Sequence, residues 1–329
     1  TEKAQQEKQE NGKTSKAGNF HITDEQLGTG TLKEKYRRSV EAIQLLKQLE
    51  EENRQADRFE QETLSNYVGW GGLSDVFDAN KQNWTEEYNE LKELLTDAEY
   101  KAARESVLNA HFTQPVIIES IYKALEQMGF RNGNVLEPSM GIGNFFGVMP
   151  ESMRGSKLYG VELDDISGRI ARQLYPDAEI QITGYENSGY PDDFFDVAVG
   201  NVPFGNYQIY DRRYERQHFM IHDYFLAKTL DQLRSGGVAA FITSKGTMDK
   251  KSDTVRLYLS QRAELLGAIR LPNTAFKANA GTEVTSDILF FQKREGISYD
   301  SPEWLQIGVN EEGIELNQYF INHPEMVLG

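Results

Sequence analysis

The sequence predicts an α/β protein: a doubly wound, Rossmann-like sheet of seven strands, mostly parallel with an antiparallel last strand, preceded by a helical N-terminal region. Three observations carry that prediction. From His111 onward, short apolar runs alternate with helical patterns. The stretch Asn134-Val-Leu-Glu-Pro-Ser-Met-Gly-Ile-Gly-Asn-Phe-Phe146 takes an apolar strand into a carboxylate, a proline and two glycines before a helix. Such a turn lets the backbone approach a ligand at the carboxyl end of a parallel strand. Before His111, by contrast, apolar residues recur at helical spacing.

Taken in order, residues 1–18 are polar and charged, without large apolar side chains, and read as a disordered lead-in. Residues 19–110 form the helical region. Gly28-Thr-Gly30 breaks the chain, and Leu32, Tyr36, Val40, Ile43, Leu46 and Leu49 then mark an amphipathic helix running to about Arg58. Residues 61–110 are helical too, interrupted at Tyr67-Val-Gly-Trp-Gly-Gly-Leu73, where the glycines around Trp70 read better as a packed corner than as a ligand contact. Residues 111–295 form the sheet domain. His111-Phe-Thr-Gln-Pro115 opens a helix through Ile117, Ile121 and Leu125. Strands are expected at 134–136, 158–161, 179–182, 195–199, 237–242, 264–270 and 287–292, the last two joined by a long polar loop. The acidic residues 296–329 read as a C-terminal extension of sparse pattern.

Composition narrows the function. The 329 residues suffice for one large domain or two modest ones. With no cysteine there is no disulfide or thiolate metal site, and the five histidines show no metal-ligand spacing, so no metal is expected. No apolar run approaches a membrane span and no signal peptide is visible, which fits a cytoplasmic protein. The chain starts at Thr1, as a trimmed or excised piece would. A formal net charge of −16 argues against a self-sufficient nucleic-acid binder, so any polyanion must meet a local basic patch or be delivered by elements elsewhere.

The chemistry gathers at strand ends. After Gly141 and Gly143 come Asn144, Phe145 and Phe146, so neither the Lys-Ser/Thr of a phosphate loop nor the third glycine of a dinucleotide fold is present. Glu137, next to Pro138, would repel a pyrophosphate but attract a cationic group such as an amino group. Glu162, followed by Leu163, ends the next strand, where a carboxylate can accept both ribose hydroxyls. Either acid alone is most simply a solvated strand end; the two together at consecutive tips point to a nucleoside. Beyond Phe194-Phe-Asp-Val-Ala-Val199 lies Asn201-Val202-Pro203-Phe204. The Asn201 amide can grip the amino group of a flat base while Phe204 stacks on its face. Two acceptors, the Asn201 oxygen and the Val202 carbonyl, would draw that nitrogen toward tetrahedral geometry and aim its lone pair at a methyl donor, with positioning and electrostatics carrying the step.

These motifs resemble those of S-adenosylmethionine-dependent adenine-N6 DNA methyltransferases. The similarity is greater still to the methyltransferase region of large helicase-methylase polypeptides of conjugative elements and phages. On that resemblance Phe112 and Thr113 belong to the amino-terminal cofactor motif, Glu137 to Phe145 to the glycine-rich motif, Glu162 is the ribose acid, and Glu186 lies near the cofactor's adenine. Asn201 to Phe204 would be the catalytic tetrapeptide, with Val202 where the family usually has a first proline. The resemblance implies S-adenosylmethionine as cofactor, DNA as partner and a helicase region in the same polypeptide or a partner. DNA contacts are expected from Tyr210, Arg212, Arg213 and Arg216, in a segment with Tyr207 and Tyr214, and from Lys245 and Lys277, with Lys250 and Lys251 near the same edge. For each of these a solvated charged loop is an equal alternative. A methylated base would have to leave its stack to reach Asn201. Methylation of cytosine N4 or a protein glutamine amide, and a non-catalytic methyltransferase-like module, remain open alternatives. An acidic DNA mimic would leave the cofactor and base motifs unexplained.

Overall fold

The computed structural model describes residues 17–107, 112–276 and 284–329. Of the lead-in expected over residues 1–18, only Ala17 and Gly18 lie within them, and His111 and Lys277 lie outside the described residues. Helices α1 (Leu32–Glu51) and α2 (Arg58–Ser65) open the chain, followed by α3 (Thr85–Leu94) and α4 (Asp97–Ser106). The helix expected to reach Arg58 ends at Glu51. Asn53 adopts a left-handed φ of 49°, and Asp57 with Glu60 forms a capping box that starts a new helix. The apolar series itself stops at Leu49, and the polar run Glu50 to Gln55 carries no glycine or proline to fix where the helix ends. Trp70 lies in a packed aromatic corner, edge-on to Tyr67 and Phe77.

Helix α5 (Pro115–Gln127) leads into the sheet, whose strands are β1 (Asn134–Glu137), β2 (Lys157–Glu162), β3 (Glu179–Ile182), β4 (Phe195–Asn201), β5 (Leu233–Ser244), β6 (Ala263–Arg270) and β7 (Ser286–Lys293). The seven-stranded order is β3-β2-β1-β4-β5-β7-β6. All pairs from β3 to β5 are parallel, and β7 inserts antiparallel between β5 and β6. This is the Rossmann-like, mostly parallel seven-stranded sheet the sequence predicts. Its strands are apolar on both faces because both are covered. Val135, Val199 and Ile242 face a core shared with α1, α5 and the Trp70 corner. Leu136, Ala198 and Phe241 face the other core, formed with α8 (Ile221–Gln232) and α10 (Thr254–Arg262). The remaining sheet-domain helices are α6 (Asn144–Val148), α7 (Asp165–Leu174) and α9 (Gly246–Asp249).

Two polar clusters fasten the periphery. Arg169 of α7 reaches Glu50 of α1 (2.6 Å) and Glu99 of α4 (2.9 Å), and Lys47 joins Glu99 at 2.9 Å. Apolar burial and this ion-pair network dock the helical region on the sheet. At the other edge, buried Arg270 grips Asp287 through two 2.9 Å bonds and Asp249 at 2.8 Å. Its guanidinium lies 4.3 Å from the ring centre of Phe320. Phe320 belongs to the tail, which is more ordered than its sparse pattern implies: a hairpin of β8 (Ile307–Val309) and β9 (Glu315–Asn317), then α11 (Gln318–Asn322). Trp304, Leu305, Leu316 and Phe320 complete the second core, and the Asn317 amide donates to the carbonyls of Met248 (2.7 Å) and Trp304 (2.8 Å). These elements are too short to show a period. Among the described residues no helix is long and apolar enough to cross a membrane.

Removing Arg270 strands two acids, one of them fully buried. Arg270→Ala is expected to cost about 3–5 kcal/mol in urea unfolding, whereas a loss under about 1 kcal/mol would show the cluster to be dispensable.

Candidate active site

Parallel pairing of β1 with both β2 and β4 brings three strand ends side by side. At the end of β1, Glu137 is 2% exposed and its Oε2 has no hydrogen-bond partner. Burial, then the charge of Glu162, pushes its acid well above the usual carboxylate range. Pro138 is buried behind it, and the chain turns through Gly141 to Gly143. Gly143 caps α6 with a left-handed φ of 90°, and a Cβ there would fall 2.5 Å from the Tyr175 ring, so only glycine fits. Asn144 Oδ1 is buried and unpartnered. Phe145 packs into the core, and its carbonyl accepts the Tyr122 hydroxyl at 2.6 Å.

Glu162, at the end of β2, does more than face outward. Its Oε2 accepts the Gly141 N–H at 2.6 Å and its Oε1 the Asp164 N–H at 2.8 Å. The acid thereby pins the glycine turn of the neighbouring strand. Burial raises its pKa to about 7, aided by the Asp164 charge and opposed by those backbone bonds. The next residue, Leu163, stands 77% exposed. Tyr67 of the aromatic corner lies beside Asp164, Ser167 and Glu162, and burial pushes its phenol well up. The sequence marks that corner only as packing; nothing in it shows the approach to the Glu162 turn.

At the end of β4, Asn201 donates to Thr113 Oγ1 at 3.1 Å, while its Oδ1 is buried without a partner. Thr113 precedes α5, so the segment before that helix meets the β4 tip; Phe112, next to it, touches Gly28, where a Cβ would fall 2.6 Å from the ring. A Cβ on Gly200 would lie 3.6 Å from Glu137 Cγ. Glu137, Glu162 and Asn201 thus share one edge of the sheet. Val202 is 1% exposed and donates its N–H to the Ile242 carbonyl at 3.0 Å. A proline cannot make that bond. Hydrogen bonding to β5 therefore restrains the loop where the missing φ lock would have done so. Pro203 and Phe204 follow, half-buried, and Phe204 packs against both cores.

The other candidates scatter more. Glu186 folds back over Gly184, since a Cβ there would meet its carboxylate at 2.2 Å, and it lines a polar cavity of about 170 Å³ with Asp211, Arg213 and Lys228. In the segment beyond Phe204, Asp211 accepts Tyr224 (2.7 Å) and Lys228 (3.1 Å) of α8. Arg213 pairs with Asp192 (2.8 Å) and Asp231 (3.2 Å), and buried Tyr214 bonds Asp231. Buried Tyr214 therefore anchors the segment, and Arg213, with 52% of its side chain still exposed, is tethered by the two acids. Tyr210 (73% exposed), Arg212 and Arg216 face outward, as does Lys245 beyond β5. Lys250 pairs with buried Asp223 at 3.4 Å and Lys251 with Glu315 at 3.7 Å.

Residues 98–301 match the family described as N-6 DNA Methylase. "Defense against restriction protein B" of Escherichia phage P1 is 34% identical over 192 residues, 56% of this chain but 8% of that protein. The chain thus spans under a tenth of that relative's length. Among solved structures, a modification subunit assigned to a type I restriction enzyme of Vibrio vulnificus is 20% identical, covering 64% of this chain and 50% of that one, with a TM-score of 0.48. A Listeria monocytogenes protein described as a class I S-adenosylmethionine-dependent methyltransferase is 16% identical over 81% of this chain and 90% of that one, again at 0.48. The match over residues 98–301 exceeds half of the sequence, and the chain belongs to the N-6 DNA methylase family.

Proposed function

We propose that the protein transfers a methyl group from S-adenosylmethionine to the N6 amino group of adenine in DNA. The observation that carries this reading is the buried, unpartnered Oδ1 of Asn201, held by Thr113 at the strand edge that also bears Glu137 and Glu162. An orphan acceptor costs about 1–3 kcal/mol unless something donates to it, and an exocyclic amine does so. The residues also suit the cofactor: unpartnered Glu137 Oε2 and Asn144 Oδ1 are acceptors for an ammonium group. Phe112, Thr113, Pro138, Gly141, Gly143 and Phe145 would shape that pocket, Glu162 would take the ribose hydroxyls, and exposed Leu163 would cover the nucleoside base. Glu186 would need to swing from Gly184 to reach it. When bound, S-adenosylmethionine supplies an electrophilic methyl group on a sulfonium.

The protein's part is to place the acceptor nitrogen. The Asn201 oxygen and the Val202 carbonyl would accept its two hydrogens, directing the lone pair along the sheet edge toward the cofactor side. Pro203 and the Val202–Ile242 hydrogen bond keep those acceptors in place, and Phe204 would stack on the base. A base in duplex DNA would have to be flipped out to enter. Tyr210, Arg212, Arg216 and Lys245 would meet the phosphates and unstacked bases, with Lys277 an additional candidate from sequence. Because the net charge is −16, further recognition elements outside these residues would supply most of the affinity, a helicase region among them. Within the chain, 111–295 would be the methyltransferase unit, with 19–110 and 296–329 as its accessories.

Incubation with unmethylated genomic DNA and S-adenosylmethionine, followed by nucleoside mass spectrometry, should yield N6-methyladenine. N4-methylcytosine would replace the substrate, and neither base despite bound cofactor would favour a non-catalytic module. Asn201→Ala should lower turnover by at least about 10²-fold while cofactor affinity holds; loss of cofactor binding instead would displace Asn201 from the base side. The double change Arg212→Ala, Arg216→Ala should reduce the slope of log K against log salt for DNA binding by up to about 2. An unchanged slope would return these arginines to plain surface.

A further inference from the structure

Glu137 and Glu162 stand at adjacent strand tips, and they are not equivalent. Both Glu162 oxygens accept backbone N–H groups, whereas Glu137 Oε2 is buried with nothing to bond. The titratable groups facing the pair come from each element packed there. Asp164 follows β2, Tyr122 comes from α5, Tyr175 ends α7, and Tyr67 comes from the aromatic corner. All are acids or phenols, and Asn201 and Thr113 on the β4 side are neutral. Among the described residues the charge that acts on Glu137 is that of Glu162, and no cation pairs with it. A buried carboxylate beside a second acid and without a cation is held as the acid form.

We propose that the ligand supplies the missing cation: Glu137 sits protonated in the ligand-free protein and gives its proton to solvent when an ammonium group docks against it. This rests on the reading that the site takes S-adenosylmethionine. The balance is simple. The Glu137 O–H bond breaks, the proton passes to bulk water, and the carboxylate and ammonium form a charge-assisted hydrogen bond with no covalent bond to the ligand. Charge therefore reads the amino-acid arm of the cofactor, while Glu162 reads the nucleoside. A nucleoside lacking that arm brings no cation and leaves the Glu137 proton in place. With one proton released per ligand, affinity rises by up to about tenfold per pH unit until Glu137 ionises in the free protein.

Isothermal titration calorimetry of the full chain, in two buffers of different ionisation enthalpy near neutral pH, separates the outcomes. S-adenosylmethionine and S-adenosylhomocysteine should both bind with a buffer-dependent heat corresponding to at least about one proton released. The analogue 5′-methylthioadenosine, which has the nucleoside but no ammonium, should release about one proton fewer than S-adenosylmethionine, because any proton leaving Glu162, whose pKa is about 7, is common to both ligands. Glu137→Gln should still bind S-adenosylmethionine, more weakly, with about one proton fewer released and a flatter pH profile. Tight binding of S-adenosylmethionine with buffer-independent heat would overturn the proposal and leave the cofactor reading standing. Equal proton release by the armless nucleoside would overturn it by moving the proton to Glu162. No binding by any of the three would remove the cofactor reading, and this inference with it.

Discussion

One hydrogen bond organises the site: the Gly141 N–H to Glu162 Oε2, 2.6 Å long, from the turn after β1 to the tip of β2. Strand pairing alone brings the two chain ends near each other, but leaves the glycine turn free to swing. The carboxylate closes that freedom, and the Met140 N–H to the Val161 carbonyl (3.0 Å) closes it a second time. Charged acceptors make stronger hydrogen bonds than neutral ones, so the turn keeps its shape before any ligand arrives. Glu162 is thus part of the scaffold of the strand-tip site as well as a candidate ligand contact in it.

Much of this was legible in the sequence. Each of the seven strands was expected within a few residues, because buried parallel strands are continuous apolar runs bounded by polar turns. The grouping of Glu137, Glu162 and Asn201 at one edge follows from the same reading, since parallel strands in one sheet end on one side. What stayed hidden was tertiary. The break after Glu51 leads to a helix started by a capping box, with no glycine or proline to announce it. The tail is ordered by Asn317 and Phe320 reaching other elements. Arg213 looks identical to Arg212 until Asp192 and Asp231 are placed beside it.

Val202 shows how sequence comparison can mislead in the opposite direction. As a departure from a two-proline motif it looks like a loss of rigidity. In the fold, its N–H extends the β4–β5 pairing by a bond to Ile242 that a proline lacks. A net hydrogen bond is worth about 0.5–1.5 kcal/mol, comparable to the entropy a fixed φ would have saved. The constraint has changed its form and kept its place.

The segment beyond Phe204 divides its side chains by direction. Asp211 and Tyr214 turn inward to partners on α8, Arg213 lies along the surface against Asp192 and Asp231, and Tyr210, Arg212 and Arg216 project outward. Shape and contact chemistry are therefore carried by different residues of one short stretch. Descendants of this chain can exchange the outward set for other side chains, altering what the rim meets, without refolding the stretch that displays it.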